Sequence, residues 1–394
     1  MRVRVNRVTL RNYRSIAGCG VALGDLTFLV GQNGAGKSNF LDALRFVGDS
    51  LRSSLDHALR ERGGVAEVRR RSSGHPNNFS IRVDFVLASG VRGHFAFEIG
   101  AQQGGGFVVK HEQCRVGSAR YRVSQGIVEE APGPISPPAS DDRLYLVTVA
   151  GLPEFRPVFD LLSSMGFYNL TPDRIRDLQP PDKGDLLARD GRNLASVLER
   201  LQKVDGGSLK TRIVEYLSRI VPGTVGVTPT HLGHLETLEF LQEVKGAEHP
   251  WRFPASNMSD GTLRGLGVLV ALFQARGHGT IPLIGVEEPE SALHPAAAAV
   301  LRDALREASR TAQVIVTSHS PELLDDPEIV DVEIYAVENR LGTTHILPID
   351  EAGRTALKNH LFTAGELLRA DQLNPDLTKI VDPSQLDLFG MGET

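Results

Sequence analysis

The chain has 394 residues, enough for one large discontinuous domain or two to three smaller ones. Its 41% apolar and 23% charged residues are ordinary for a globular protein and exclude a wholly disordered or collagen-like chain. Lys and Arg number 43 against 48 Asp and Glu, a formal charge of −5, so any nucleic-acid contact must come from a local patch.

Two cysteines, Cys19 and Cys114, stand far apart without C-x-x-C or Cys/His spacing, which indicates neither a disulfide framework nor a zinc site. The charged start MRVRVNRVTLRNYR has no apolar h-region, and no run of eighteen apolar residues occurs. A cytoplasmic protein without a membrane span is therefore expected. Charge is uneven: residues 1–14 carry five arginines and no acid, whereas 322–394 carry fifteen acids against five Lys and Arg.

In chain order, RVRVNRVTL (2–10) alternates and LTFLV (26–30) is a short apolar run ending at glycine, so both read as strands. SNFLDALRFVGDSL then places Phe40, Leu41, Leu44 and Val47 at helical spacing, which makes the unit strand, glycine loop, helix. From about 79 to 150, segments such as FSIRVDFVL, RGHFAFEI and GFVVKHEQCRV predict an antiparallel sheet, with APGPISPPAS (131–140) as an exposed loop. NLASVLERLQ and SLKTRIVEYLSRIV predict a helical lobe around 193–220. From 259 the chain alternates helix TLRGLGVLVALFQAR, strand IPLIGV, helix HPAAAAVLRDALREAS and strand QVIVTS, which calls for a mainly parallel sheet. Residues 376–394 read as a loosely ordered tail. No long heptad array exists, so an extended coiled-coil arm is not expected.

Four segments carry chemistry. Gly31-Gln32-Asn33-Gly34-Ala35-Gly36-Lys37-Ser38 is a complete G-x-x-x-x-G-K-[ST] loop in its strand-to-helix context, followed by Asn39. Its glycines let backbone amides wrap phosphate oxygens, Lys37 reaches the β- and γ-phosphates, and Ser38 ligates Mg²⁺. The apolar strand IPLIGV ends in Glu287 and Glu288, followed by PESALHP. Carboxylates at a strand's C-terminal edge face a phosphate crevice, where Glu287 would orient the metal shell and Glu288 would polarise the attacking water. QVIVTS is followed by His319, a hydrogen-bond donor for a γ-phosphate. Finally, Met258-Ser259-Asp260-Gly261-Thr262-Leu263-Arg264 opens a helix; Ser259 and Gly261 suit either an anion site or an ordinary N-cap.

The order GQNGAGKSN, NMSDGTLR, VEEPESALHP, VTSHS resembles the Walker A, signature, Walker B with D-loop, and H-switch series of ABC-type ATPases. VTLRNYRSI further resembles the opening strand of RecF- and SMC-like heads, including ATPases of the overcoming-lysogenization-defect (OLD) type. The resemblance implies an α/β ATPase head with a mainly parallel core sheet, an antiparallel β subdomain and a helical lobe. Its expected divisions are an N-terminal lobe (1–165), a helical lobe and insertion (166–258), a C-terminal lobe (259–345), and an extension with a tail (346–394). It also implies ATP and Mg²⁺, with Ser259 and Gly261 of one copy closing on the γ-phosphate held by Lys37 of another in a homodimer. GELLRADQLNP (365–375) is similar to small ATPases encoded beside a separate effector nuclease or toxin. Glu287 stands where many relatives have Asp, SDGT replaces a fuller LSGGQ, and Gln179 is the candidate Q-loop residue.

Arg69-Arg70-Arg71, with Arg52, Arg60 and Arg62 before them and Arg82 beyond, forms the candidate patch for duplex DNA, although acids share that stretch. Two functional readings follow: an ATP-gated, DNA-associated switch of repair or phage defence, and a regulatory ATP-binding scaffold for a partner effector with little hydrolysis. A transporter ATPase subunit does not fit the long insertion between Ser38 and Ser259.

Overall fold

The computed structural model describes residues 2–390 except 73, 75, 103, 132, 134, 135, 205 and 275–280. Residues 391–394 of the expected tail, 275–276 of the expected helix and three positions of the 131–140 loop therefore lie outside the described residues.

The strands are β1 (Arg4–Tyr13), β2 (Ile16–Ala22), β3 (Leu26–Val30), β4 (Asn78–Val86), β5 (Arg92–Ala101), β6 (Phe107–Val116), β7 (Ala119–Ser124), β8 (Ile127–Glu130), β9 (Gly166–Tyr168), β10 (Thr224–Leu232), β11 (Leu235–Gln242), β12 (Trp251–Pro254), β13 (Leu283–Glu287), β14 (Gln313–Ser318), β15 (Ile334–Arg340) and β16 (Thr343–Pro348). Among the described residues, thirteen form one sheet in the order β8-β7-β6-β5-β4-β1-β2-β16-β15-β3-β14-β13-β9. The expected parallel core and antiparallel subdomain are two halves of this sheet. β15, β3, β14, β13 and β9 run parallel, whereas β8 through β2 pair antiparallel.

The central strands β3, β14 and β13 are largely apolar and buried along nearly their whole length because both faces are covered. Val314 and Val316 of β14 join a core with the Asp260–Phe273 and Ala298–Ser309 helices, while Ile315 faces the core around the Lys37–Arg52 helix. In the antiparallel half, directly opposed residues share a face. One face is the apolar row Val8, Val83, Phe95, Cys114, Tyr121. Both cysteines are buried free thiols.

Three expectations change. The antiparallel strands stop at Glu130, and Tyr145–Val149 is a helix. The segment between the two amphipathic helices and residue 258 adds a three-stranded sheet, β10-β11-β12, whose Val227, Leu238 and Phe240 complete the core that those helices begin. Residues 382–390 of the tail lie across the antiparallel half with Leu388 buried, and Arg82 and Gln113 bind their carbonyls.

Glu112 of β6 points into the apolar face. It accepts from Tyr121 Oη (2.6 Å) and from the amides of Tyr145 (2.6 Å) and Leu146 (2.8 Å), which satisfies the start of the Tyr145–Val149 helix. Burial pushes its carboxyl up to about 7, against the lowering effect of those hydrogen bonds. The folded state thus holds a proton that the unfolded chain releases near 4.5, and the stability linked to this group falls as pH rises from about 4.5 to 7. In Glu112→Gln that dependence should flatten, as measured by denaturant unfolding at pH 5 and pH 8.

Candidate nucleotide-binding site

β3 is buried along its whole length and delivers residues 31–38 to the carboxyl edge of the sheet. The Lys37–Arg52 helix starts there without a side-chain cap and without an acid in its first turn. Its leading amides are therefore left for an external acceptor, the condition for an anion site. Gly36 has φ +100°, and a Cβ there would strike Thr344, so the turn requires glycine. Gln32, Asn33, Gly34 and Ser38 are exposed, while Ala35 and Lys37 are buried.

Lys37 Nζ donates to the carbonyls of Gly31 (2.7 Å) and Gln32 (3.0 Å) and lies 4.0 Å from Glu288 Oε1. Burial lowers its pKa, against the raising effects of Glu288 and Glu290. A second tier fixes the loop: Thr344 Oγ1 donates to the Ala35 carbonyl (2.8 Å), Asn39 Nδ2 donates to Ser15 Oγ (2.7 Å), and the two hydroxyls pair at 2.7 Å. The opening segment RNYRSI thus supports the loop, a role invisible without the tertiary structure.

Parallel register brings the other segments to the same edge: Glu287 lies beside Thr317, and Ser318 beside Val30. Glu288 adopts φ +44°, uncommon for a non-glycine residue, and its amide donates to the Thr317 carbonyl (2.9 Å). His319 Nδ1 lies 3.3 Å from Glu288 Oε1. Glu287, in contrast, pairs with Arg189 at 2.8 Å, so it meets a cation only if that arginine yields.

Three further residues belong to the site. Glu290 accepts from Ser318 Oγ (2.6 Å), its Oε2 is buried with no partner, and burial raises its pKa. Arg264, from the Ser259 segment, donates to the carbonyls of both Glu287 and Glu288 at 3.1 Å. Arg189 makes the Glu287 pair just described. EPE and TLR lay within recognised segments, but their partners lie 23 or more residues away in sequence.

Ser259 caps its helix by accepting from Thr262 N (3.2 Å), so the N-cap alternative holds within this chain. Ser259 and Asp260 are nonetheless exposed, and Gly261 lets the helix approach the Ala292 carbonyl of the PESALHP segment. Gln179 is held in a backbone bridge to Glu236, and the polar residue that follows β9, the strand next to β13, is Asn169.

The arginine patch divides. Arg69 and Arg70 donate to the Pro76 carbonyl and Thr343 Oγ1, Arg71 is exposed and paired with Glu67, and Arg62 is buried between Asp42 and Asp49. Arg82 is buried beneath the tail and bound to Asp84, so it does not extend that patch.

The residues fit a nucleotide with a divalent cation. The uncapped amides and Lys37 form an anion cradle, and the orphaned Glu290 oxygen and the hydroxyl of Ser38 are hard donors beside it. Among the described residues no group of three His, Cys, Asp or Glu could hold a metal, so phosphate oxygens would have to complete its shell. No described helix is long and apolar enough to cross a membrane.

Comparison with known proteins agrees with this geometry. Residues 4–89 match the family "AAA ATPase domain", and residues 177–325 match "AAA domain, putative AbiEii toxin, Type IV TA system". Among solved structures, the chain is similar to an Smc head bound to the C-winged helix domain of ScpA, with 13% identity, a TM-score of 0.57, and coverage of 89% of this chain and 99% of that one. It is also similar to an Smc head with an extended coiled coil bound to the C-terminal domain of ScpA, derived from Pyrococcus furiosus, with 12% identity, a TM-score of 0.57, and coverage of 91% and 99%. At such identities the likeness shows the fold. No curated protein sequence matches the chain.

Because Arg264 holds the backbone of Glu288, Arg264→Ala should reduce ATP turnover by about 10²-fold through misplacement of that carboxylate. ATP affinity, measured by calorimetry, should change only about twofold.

Proposed function

We propose, from the premise that the chain is an ABC-type P-loop ATPase of the RecF, SMC and OLD-like kind, that it hydrolyses ATP to ADP and phosphate as an ATP-gated dimerisation switch in DNA repair or anti-phage defence. The observation that carries this reading is the meeting of Lys37, Glu288 and His319 from three strand ends, with Glu288 Oε1 4.0 Å from Lys37 Nζ and 3.3 Å from His319 Nδ1.

The amides of residues 31–38, with Asn39 fixed behind them, hold the phosphates, and Lys37 moves from the loop carbonyls to the β- and γ-phosphate oxygens. Ser38 and, once Arg189 releases it, Glu287 would hold Mg²⁺, which would supply charge neutralisation to the phosphates. Glu288 polarises the attacking water, and His319 donates to the γ-phosphate. Ser259 and Gly261 of a second copy close on the same phosphate; the exposure of Ser259 supports this arrangement.

The switch controls duplex DNA or a separately encoded nuclease or toxin, and the toxin–antitoxin wording of one matching family supports phage defence. The Glu287–Arg189 pair favours a second reading, a regulatory scaffold that binds ATP for its effector but hydrolyses little and does not touch DNA. ATPase assays with and without duplex DNA separate them: stimulated turnover supports the switch, and negligible turnover in both supports the scaffold.

Glu288→Gln should keep ATP binding and lower turnover by about 10²- to 10⁴-fold. Light scattering of this variant should show its mass double on addition of ATP and Mg²⁺. A variant that binds ATP at unchanged mass rules out the gated dimer.

A further inference from the structure

The outward face of the antiparallel half differs from the apolar face behind it. Register places Arg7, Asp84, His94, Arg115 and Arg120 in one row across β1, β4, β5, β6 and β7, and Arg82, Gln113 and Arg122 in the next. With strands about 4.8 Å apart, the first row is a basic band roughly 19 Å long. Three arginines of the outward face are committed: Arg120 of this band to Glu130, Arg82 of the next row to Asp84, and Arg11 beyond them to Glu98. Arg7, Arg92 and Arg122 have no carboxylate within 4.0 Å among the described residues. A groove of about 880 Å³ runs here, lined by Arg7, Arg82, Arg92, His94 and Arg115 among others.

The C-terminal segment crosses this face. Pro383 and Leu386 pack over Gly18 of β2, and the Leu388 and Gly390 carbonyls accept from Arg82 Nη1 at 3.3 and 2.9 Å. The Phe389 carbonyl accepts from Gln113 Nε2 (2.9 Å), its ring lies 5.8 Å from that of His111, and Asp387 lines the groove. Residues 382–390 form no strand and pair with none; side chains of the face hold their backbone instead. Such an attachment has few bonds to break, and it places carbonyl oxygens and one carboxylate where a polyanion would place its own oxygens.

We propose that this sheet face binds the phosphate backbone of duplex nucleic acid and that Asp382–Gly390 is a detachable strap that occludes it. The inference deepens the nucleic-acid part of the functional reading and moves its contact surface from the 69–71 stretch to β1, β5 and β7. Burial lowers His94 to about 4, with Arg82 and Arg115 lowering it further against Asp84 and Asp387, so His94 adds no charge to this face.

The test is fluorescence anisotropy of a labelled duplex of arbitrary sequence with the full chain, a chain ending at Val381, and the full-length Leu386→Ser/Leu388→Ser variant. Both altered chains should bind about tenfold or more tightly than the parent, with log K falling more steeply in log salt by about 0.9 per added phosphate contact. A synthetic peptide of residues 382–390 should compete with the duplex on the truncated chain. Replacing Arg7, Arg92 and Arg122 by Gln in the truncated chain should abolish the gain.

Unchanged affinity in both altered chains, with nucleotide binding intact, overturns the strap. A gain that survives the triple replacement overturns the face, and equal binding of polyglutamate overturns the nucleic-acid assignment. Because ATP is absent from these assays, their failure leaves the Glu288→Gln mass measurement standing, and the reverse also holds.

Discussion

The site depends on one constraint: parallel strands end at the same edge. β3, β14 and β13 are adjacent and parallel, so the loop after Val30, the histidine after Ser318 and the glutamate after Glu287 leave the sheet together. Pairing of Thr317 with Glu287 and of Ser318 with Val30 sets their heights. A one-residue slip would turn each strand's side chains to the opposite core and break the Lys37–Glu288–His319 cluster. The two cores lock that register, because alternate residues of the central strands belong to different cores.

Around this edge the polar groups are tightly coupled. Lys37 is held by carbonyls of its own loop, Glu288 by Arg264 and Thr317, and Glu290 by Ser318. Buried polar groups are costly unless paired, and the unpartnered Glu290 oxygen leaves one open acceptor in this network. The Arg264 contacts also join the helix that begins at Ser259 to the backbone of Glu288. A surface event at that helix N-terminus can thereby reach the residue assigned to water activation without any long-range pathway.

The antiparallel half is a sheet with two unlike faces. Its inner face buries phenylalanines, tyrosines and Glu112; its outer face carries arginines and the C-terminal segment. Strand alternation suffices to create this asymmetry, since the strands pair an apolar set on one face with a largely polar, arginine-containing set on the other. The acidic charge noted in the last residues therefore has a structural use, with Asp387 set among arginines contributed by the first 120 residues.

Much of the site was legible in the sequence because its parts are local: a phosphate loop needs its glycines, lysine and serine within eight positions, and Glu287, Glu288 and His319 each follow an apolar strand immediately. The strand alternation of β4 through β7 was legible for the same reason. Partnerships across the chain were not. Whether Arg70 and Arg82 face solvent or bind protein groups, whether Glu287 meets a metal or Arg189, and whether residues 382–390 hang free or dock depends on groups tens to hundreds of positions away. The three-stranded sheet inside the expected helical lobe was missed because its strands are half-exposed and their apolar residues complete a core begun by other elements. The sequence by itself determined which chemistry the chain carries. The tertiary structure decided which charges remain free to use it, because an arginine's availability depends on the acids and carbonyls that folding places beside it.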